Sequence, residues 1–136
     1  MGTVLEFVTG ENRHYVDGPF IYTKIGGPTS REIILEYVKI VRGVLATHGE
    51  AYLLVNNERD YVIEPGARKA LFAFSKEHRV SAFATVGGGA VYRTIFNLMM
   101  RALALAQIAV CPTAFFPTDA QARAWLEAHQ RAARSA

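Results

Sequence analysis

The chain of 136 residues is 51% hydrophobic and 20% charged, which excludes a disordered protein and predicts one globular domain with its own core. Its net charge of +3 is scattered rather than gathered in a stripe, which argues against nucleic acid as a partner. The lone cysteine, Cys111, excludes an internal disulfide framework and fits a reducing, cytoplasmic setting.

The first predicted strand is Val4–Val8. The segment Met1 to Thr9 carries Glu6 and has no basic stretch leading into a long apolar run, so no secretory leader is expected. A second extended region covers Tyr15 to Ile25, interrupted by the turn signal Asp17-Gly18-Pro19. Its later half, Phe20 to Ile25, has the β-branched and aromatic content of a strand, and Gly26-Gly27-Pro28 ends it. A long helix then opens at Thr29, which forms a predicted capping box with Glu32. Ile33, Ile34, Tyr37, Val38, Val41, Val44 and Leu45 recur at helical steps as one apolar stripe, and Gly49 supplies the stop. The apolar run Ala51–Val55 follows as a strand that is central or covered on both faces.

Asn56-Asn57-Glu58-Arg59-Asp60 is the most polar loop of the chain. Glu64-Pro65-Gly66-Ala67 reads as a helix entry, with Pro65 in the first turn where its missing N–H is harmless. On this helix Leu71 and Phe74 are expected inside, and Arg68, Lys69, Lys76 and Glu77 in water. Val80–Val86 is the fourth predicted strand, leading through Gly87-Gly88-Gly89 to a helix from about Val91 to Leu105. That helix is apolar almost all round, so it is expected either between two layers or at an oligomer contact. It is no membrane span: Arg93, Asn97, Arg101 and Gln107 interrupt the ~20 apolar residues that a span requires. A fifth strand is predicted at Ala109–Cys111, with Cys111 a buried structural thiol. The last helix begins at a capping box, Thr118 with Gln121, and buries Ala122, Trp125 and Leu126, while the tail 129–136 is expected to fray.

Strands that hand over to helices predict parallel pairing with helical crossovers, and such sheets meet ligands and partners at the loops beyond their carboxyl ends. The chemistry-bearing residues there are sparse. Gly87-Gly88-Gly89 reads as a tight strand–helix turn; as a phosphate cradle it lacks both the Gly-Lys-Ser/Thr ending and the spaced glycines of a dinucleotide fingerprint, although Arg93 sits in the first turn. His14, His48, His78 and His129 lack metal-ligand spacing, so neither metal nor cofactor is expected. Asp60 and Glu64 read as a solvated loop charge and a helix-start charge rather than an acid–base pair. With no nucleophile set beside an oriented base, no enzyme is expected.

Gly26-Gly27-Pro28-Thr29 before a long helix, the apolar strand Tyr52-Leu53-Leu54-Val55 with its polar loop, and the ending Phe115-Phe116-Pro117-Thr118-Asp119 followed by Trp125-Leu126 resemble the STAS/SEC14-like single-domain bacterial proteins, the group akin to the sporulation anti-sigma-factor antagonist. The resemblance implies an α/β fold, a mixed, mostly parallel five-stranded sheet with about four helices packed largely on one side, and a role in regulatory protein binding. Relatives of the SEC14 type instead hold an apolar ligand. In the antagonists a phosphorylatable serine, preceded by an acidic residue, begins the helix after the third strand. The matching stretch Asn56–Gly66 has neither serine nor threonine, and Glu64 stands near that position. The expected partner surface is therefore Asn56, Asn57, Glu58, Asp60, Tyr61 and Glu64 with Gly88 and Arg93. A homodimer is expected through Phe96 and Met100, four apart on the apolar helix, and the alternative is an apolar ligand held beside that helix.

Overall fold

A computed structural model gives the structure of residues 4–135. Three strands open the chain, β1 (Leu5–Thr9), β2 (Asn12–Asp17) and β3 (Phe20–Lys24), followed by α1 (Arg31–His48), β4 (Tyr52–Asn57), α2 (Pro65–Glu77), β5 (Ala82–Gly87), α3 (Ala90–Leu105), β6 (Thr113–Phe116) and α4 (Asp119–Ser135). All six strands form one sheet in chain order, antiparallel from β1 to β3 and parallel from β3 to β6. Gly10 and Gly18 adopt positive φ at the two hairpin turns, which lets the short connections fold back.

The sheet has six strands where five were expected. The region read as one extended segment is a hairpin, because the turn at Gly18 lets Val16 face Ile21 and His14 face Thr23 across the pair. The last strand also lies later in the chain than Ala109–Cys111. Gln107 takes a positive φ at the end of α3, and residues 108–112 run as a connection. Pro112 contributes only its carbonyl, to Phe83 N–H, before pairing begins at Thr113. The cap of α1 is Ser30, whose Oγ accepts from Ile33 N–H at 3.3 Å. Thr29 is instead held by backbone bonds to Val62 and Glu64, in a bridge with Ile63. Gly49 does end α1, at φ 73°. The expected fraying tail is helical to Ser135, with His129 packed edge-on against Trp125; Ala136 lies outside the described residues.

Side-chain alternation along the strands divides the core into two layers. On one face Val16, Ile21 and Leu53 pack with the α1 stripe and with Ala67 and Phe74 of α2. On the other, Tyr52, Leu54, Ala84 and Val86 pack against Ala122, Leu126 and Trp125 of α4. The strand β4 is buried along its whole length, as a strand covered on both faces must be. No helix among the described residues is long and apolar enough to cross a membrane.

The apolar helix α3 is neither sandwiched nor fully covered. Tyr92 and Leu103 are buried, and Phe96 packs against Phe83 and Phe115 of the sheet. Val91, Leu98 and Leu105 are 68%, 57% and 87% exposed.

Candidate functional site

The parallel strands place four connections at one end of the sheet: the segment before α1, the loop from Asn57 to Glu64, the glycine turn 87–89, and the entry to α4. The loop and the glycine turn are stapled together through Asn57. Its carbonyl accepts from both Asp60 N–H at 3.0 Å and Gly88 N–H at 2.9 Å. Its side-chain amide spans the loop, Oδ1 accepting from Tyr61 N–H at 2.9 Å and Nδ2 donating to the Tyr61 carbonyl at 3.1 Å. Asp60 closes this turn with a positive φ, a conformation that aspartate tolerates better than most residues.

Asn56 serves the neighbouring elements. Its Oδ1 accepts from Glu58 N–H at 3.0 Å, and its Nδ2 donates to Asp119 at 2.8 Å, tying the end of β4 to the start of α4. The glycine turn is equally confined. Gly87 and Gly88 hold positive φ, and a Cβ on Gly88 would enter the ring of Tyr92, whose hydroxyl bonds Thr85 at 3.0 Å.

The structure thus brings together all the loop residues expected from sequence but sorts them into two groups. Asn56 and Asn57 are buried, and their amides are spent within the protein, Asn57 on the loop and Asn56 on the loop and the start of α4. Glu58, Asp60, Glu64 and Arg93 are exposed, Tyr61 and Gly88 half-buried. Glu58 and Tyr61 also border an open depression of about 430 Å³ with Arg13, Lys24 and Arg59, a surface of mixed charge. Phe96 and Met100 lie apart from these loops and line cavities between α3 and the sheet; the outward apolar residues of that helix are Val91, Leu98 and Leu105.

Asn57→Ala should destabilise the fold by roughly 2 kcal/mol, because it removes a fully buried side chain and leaves the N–H and carbonyl of half-buried Tyr61 without their partners. Urea unfolding of the variant checks this; a change below about 0.5 kcal/mol would show that the loop does not depend on the amide.

A second group of polar residues was missed by the sequence reading. His14, 1% exposed, has Nε2 at 2.7 Å from Thr9 Oγ1 and Nδ1 at 2.8 Å from Thr23 Oγ1, both within the hairpin. Burial lowers its pKa to about 4, so the imidazole is neutral at physiological pH. Its ring packs 5.2 Å from that of Tyr37, whose phenol burial raises well above its ordinary value; the Thr23 hydroxyl lies near enough to offset this in part, but the two hydroxyls do not meet in hydrogen-bond geometry. These residues border a cavity of about 70 Å³ between the sheet and α1, α2 and α3. A neighbouring cavity of about 110 Å³ shares Leu71, Phe83, Phe96 and Met99 as walls and adds Leu103 and Cys111. Cys111 is half-buried at this second cavity, its thiol pushed up by burial. The alternation of Asn12, His14 and Val16 on the inner face of β2 was the available signal, since polar residues at two core positions of a strand demand partners.

Arg68 is a correction to the sequence reading. It was expected in water with Lys69, but its Nε is buried at the first cavity. The long stem lets the side chain turn inward from a helix position near the surface. Among the described residues no group of three His, Cys, Asp or Glu is placed to hold a metal ion.

Six strands in the order 1-2-3-4-5-6, with three helices against one face and a fourth against the other, define a mixed α/β domain with its connections gathered at the carboxyl end. Compared with known protein families, with curated proteins and with solved structures, the chain matches none.

Proposed function

We propose that the protein is a non-enzymatic, cytoplasmic regulatory module that binds another protein through the loops at the carboxyl end of its sheet, the role of the STAS-like anti-sigma-factor antagonists it resembles. One observation carries this reading. Asn57 locks the loop and the glycine turn into a single rigid frame, which presents Glu58, Asp60, Glu64 and Arg93 to solvent. A preorganised, mixed-charge surface suits a charged protein partner, since little ordering entropy is lost when it docks. Glu58→Lys combined with Glu64→Lys should remove partner cross-links in native cells while shifting stability by less than about 1 kcal/mol. Unchanged cross-links in a folded variant would place the partner elsewhere. No serine or threonine phosphate is expected within 56–66, where Tyr61 has the one side-chain hydroxyl; phosphopeptide mapping from the native host tests this.

A second reading is favoured by the two cavities under α3. Here the domain holds an apolar ligand between that helix and the sheet, as relatives of the SEC14 type do. Native mass spectrometry of freshly purified protein tests it: an added mass of one small molecule supports the reading. A protein that stays free of added mass and takes up no apolar probe argues against it. Self-association of the domain belongs with the first reading; Phe96 and Met100, expected at that contact, line cavities, and the exposed apolar side chains of α3 are Val91, Leu98 and Leu105.

A further inference from the structure

Among the described residues, three buried side-chain polar atoms have no hydrogen-bond partner: Thr29 Oγ1, Tyr37 OH and Arg68 Nε. All three belong to residues that line the same cavity, the one of about 70 Å³ between the sheet and the first three helices. They reach it from three separate elements: the bridge before α1, the middle of α1, and the first turns of α2. More than about nine in ten buried polar groups in native proteins are paired. One orphan is unremarkable, but three converging on one void form a pattern, and the pattern has a chemistry.

Each orphan can donate. Arg68 supplies a fixed positive charge and an N–H, while Tyr37 and Thr29 supply hydroxyls. No aspartate or glutamate lines the cavity, and Arg68 makes no ion pair among the described residues. His14 adds no second charge, because its burial at 1% exposure disfavours the charged imidazolium and keeps the ring neutral. A single cation with two neutral donors selects a small monoanionic acceptor. A carboxylate matches the guanidinium fork in charge and geometry.

Apart from Asn12, His14 and Thr23, whose side chains are engaged within the sheet and its turns, the rest of the wall is almost wholly apolar. Val55, Phe83, Ile95, Phe96 and Met99 surround the space, and the second cavity of about 110 Å³ continues past Phe96 and Met99 toward Met100 and Leu103. A cavity of about 150 Å³ holds one benzene, so neither space alone suits a two-chain lipid. Together, with the flexible Met99 side chain moving aside, they suit one alkyl chain. Arg68, Ile95 and Met99 also border the open groove between α2 and α3, so the first cavity and that groove share a wall.

We propose that the domain binds a single-chain aliphatic monocarboxylate, with the head on Arg68, Tyr37 and Thr29 and the chain lying between α3 and the sheet. This rests on the apolar-ligand reading above and adds the head group to it.

Calorimetric titration of the full chain with decanoate, decanol and decyl phosphate, each kept below its micellar concentration or solubility limit, tests the proposal. Decanoate should bind with one-to-one stoichiometry, about tenfold more tightly than decanol, as charge-assisted hydrogen bonds to the head require. Its NMR shifts should centre on Val55, Phe83 and Met99. Arg68→Gln should erase the advantage of decanoate while keeping the affinity for decanol. If that variant fails to fold, the near-isosteric Tyr37→Phe and Thr29→Val carry the same test and should each reduce the advantage. Equal binding of decanoate and decanol would overturn the head-group assignment and leave the apolar-ligand reading standing. Preferential binding of decyl phosphate would overturn the carboxylate. If none of the three binds, both the assignment and the apolar-ligand reading fall.

Discussion

Acidification from neutrality to about pH 4 should cost the folded protein roughly 3 kcal/mol through His14 alone. The imidazole titrates near its ordinary 6.5 in the unfolded chain and at about 4 in the folded one, because burial disfavours its charged form. Its contribution is therefore complete above about pH 6.5 and is lost as pH falls toward 4, where the unfolded chain takes up a proton that the folded chain refuses. This is a large share of the ~5–15 kcal/mol that holds a typical domain together. Urea unfolding across that range, for the wild type and for His14→Gln, isolates the effect. The glutamine amide can still hydrogen-bond but does not titrate. The variant should be the less stable at neutrality, and the gap between the two should close by roughly 3 kcal/mol on acidification. Parallel curves would show that His14 does not govern the acid response.

Replacing both Phe96 and Met100 with glutamate should unfold the domain, at a cost of at least about 4 kcal/mol. Phe96 lies in an aromatic cluster, its ring 5.5 Å from Phe83, 5.3 Å from Phe115 and 6.3 Å from Tyr92. Met100 lines the larger apolar cavity. Two carboxylates there would lose aromatic packing and carry charge into a space with little to solvate it. Leu98→Glu is the matched control on the outward side of the same helix and should change stability by less than about 0.5 kcal/mol. Circular dichroism with analytical ultracentrifugation reads both outcomes. A folded, monomeric double variant of a dimeric wild type would move these side chains to an interface between copies.

Periodicity and turn chemistry were enough to read most of the elements. The stripe from Ile33 to Leu45 placed α1, Gly49 its end, Pro65 the start of α2, and Thr118 with Gln121 the start of α4, because caps and apolar spacing act within a few residues of one another. Where the reading failed, competing local signals were decided by pairing. Glu32 three residues on favours Thr29 as the cap, but the backbone bridge of Thr29 to Ile63 holds it outside the helix and leaves the cap to Ser30. Ile108 to Cys111 is apolar enough for a strand, but ladder pairing with β5 starts only after Pro112.

The loop at Asn56–Glu64 was visible as a polar interruption between two regular elements, and its place at the carboxyl end of the sheet followed from alternating strands and helices. The division of labour within it was not visible. That Asn57 holds the loop while Glu58 faces water depends on β4 reaching two residues beyond its apolar run and on Gly88 approaching from another strand. The cluster of unpaired donors at the first cavity was hidden for the same reason. His14, Thr29, Tyr37 and Arg68 are far apart along the chain, and each has an unexceptional local role. Caps, turns and amphipathic stripes are local interactions, so this chain's composition and order specify them directly. A cluster of desolvated donors exists only once β2, α1 and α2 are packed around one space, and it is that packing that turned Arg68 from a surface cation into a cavity wall.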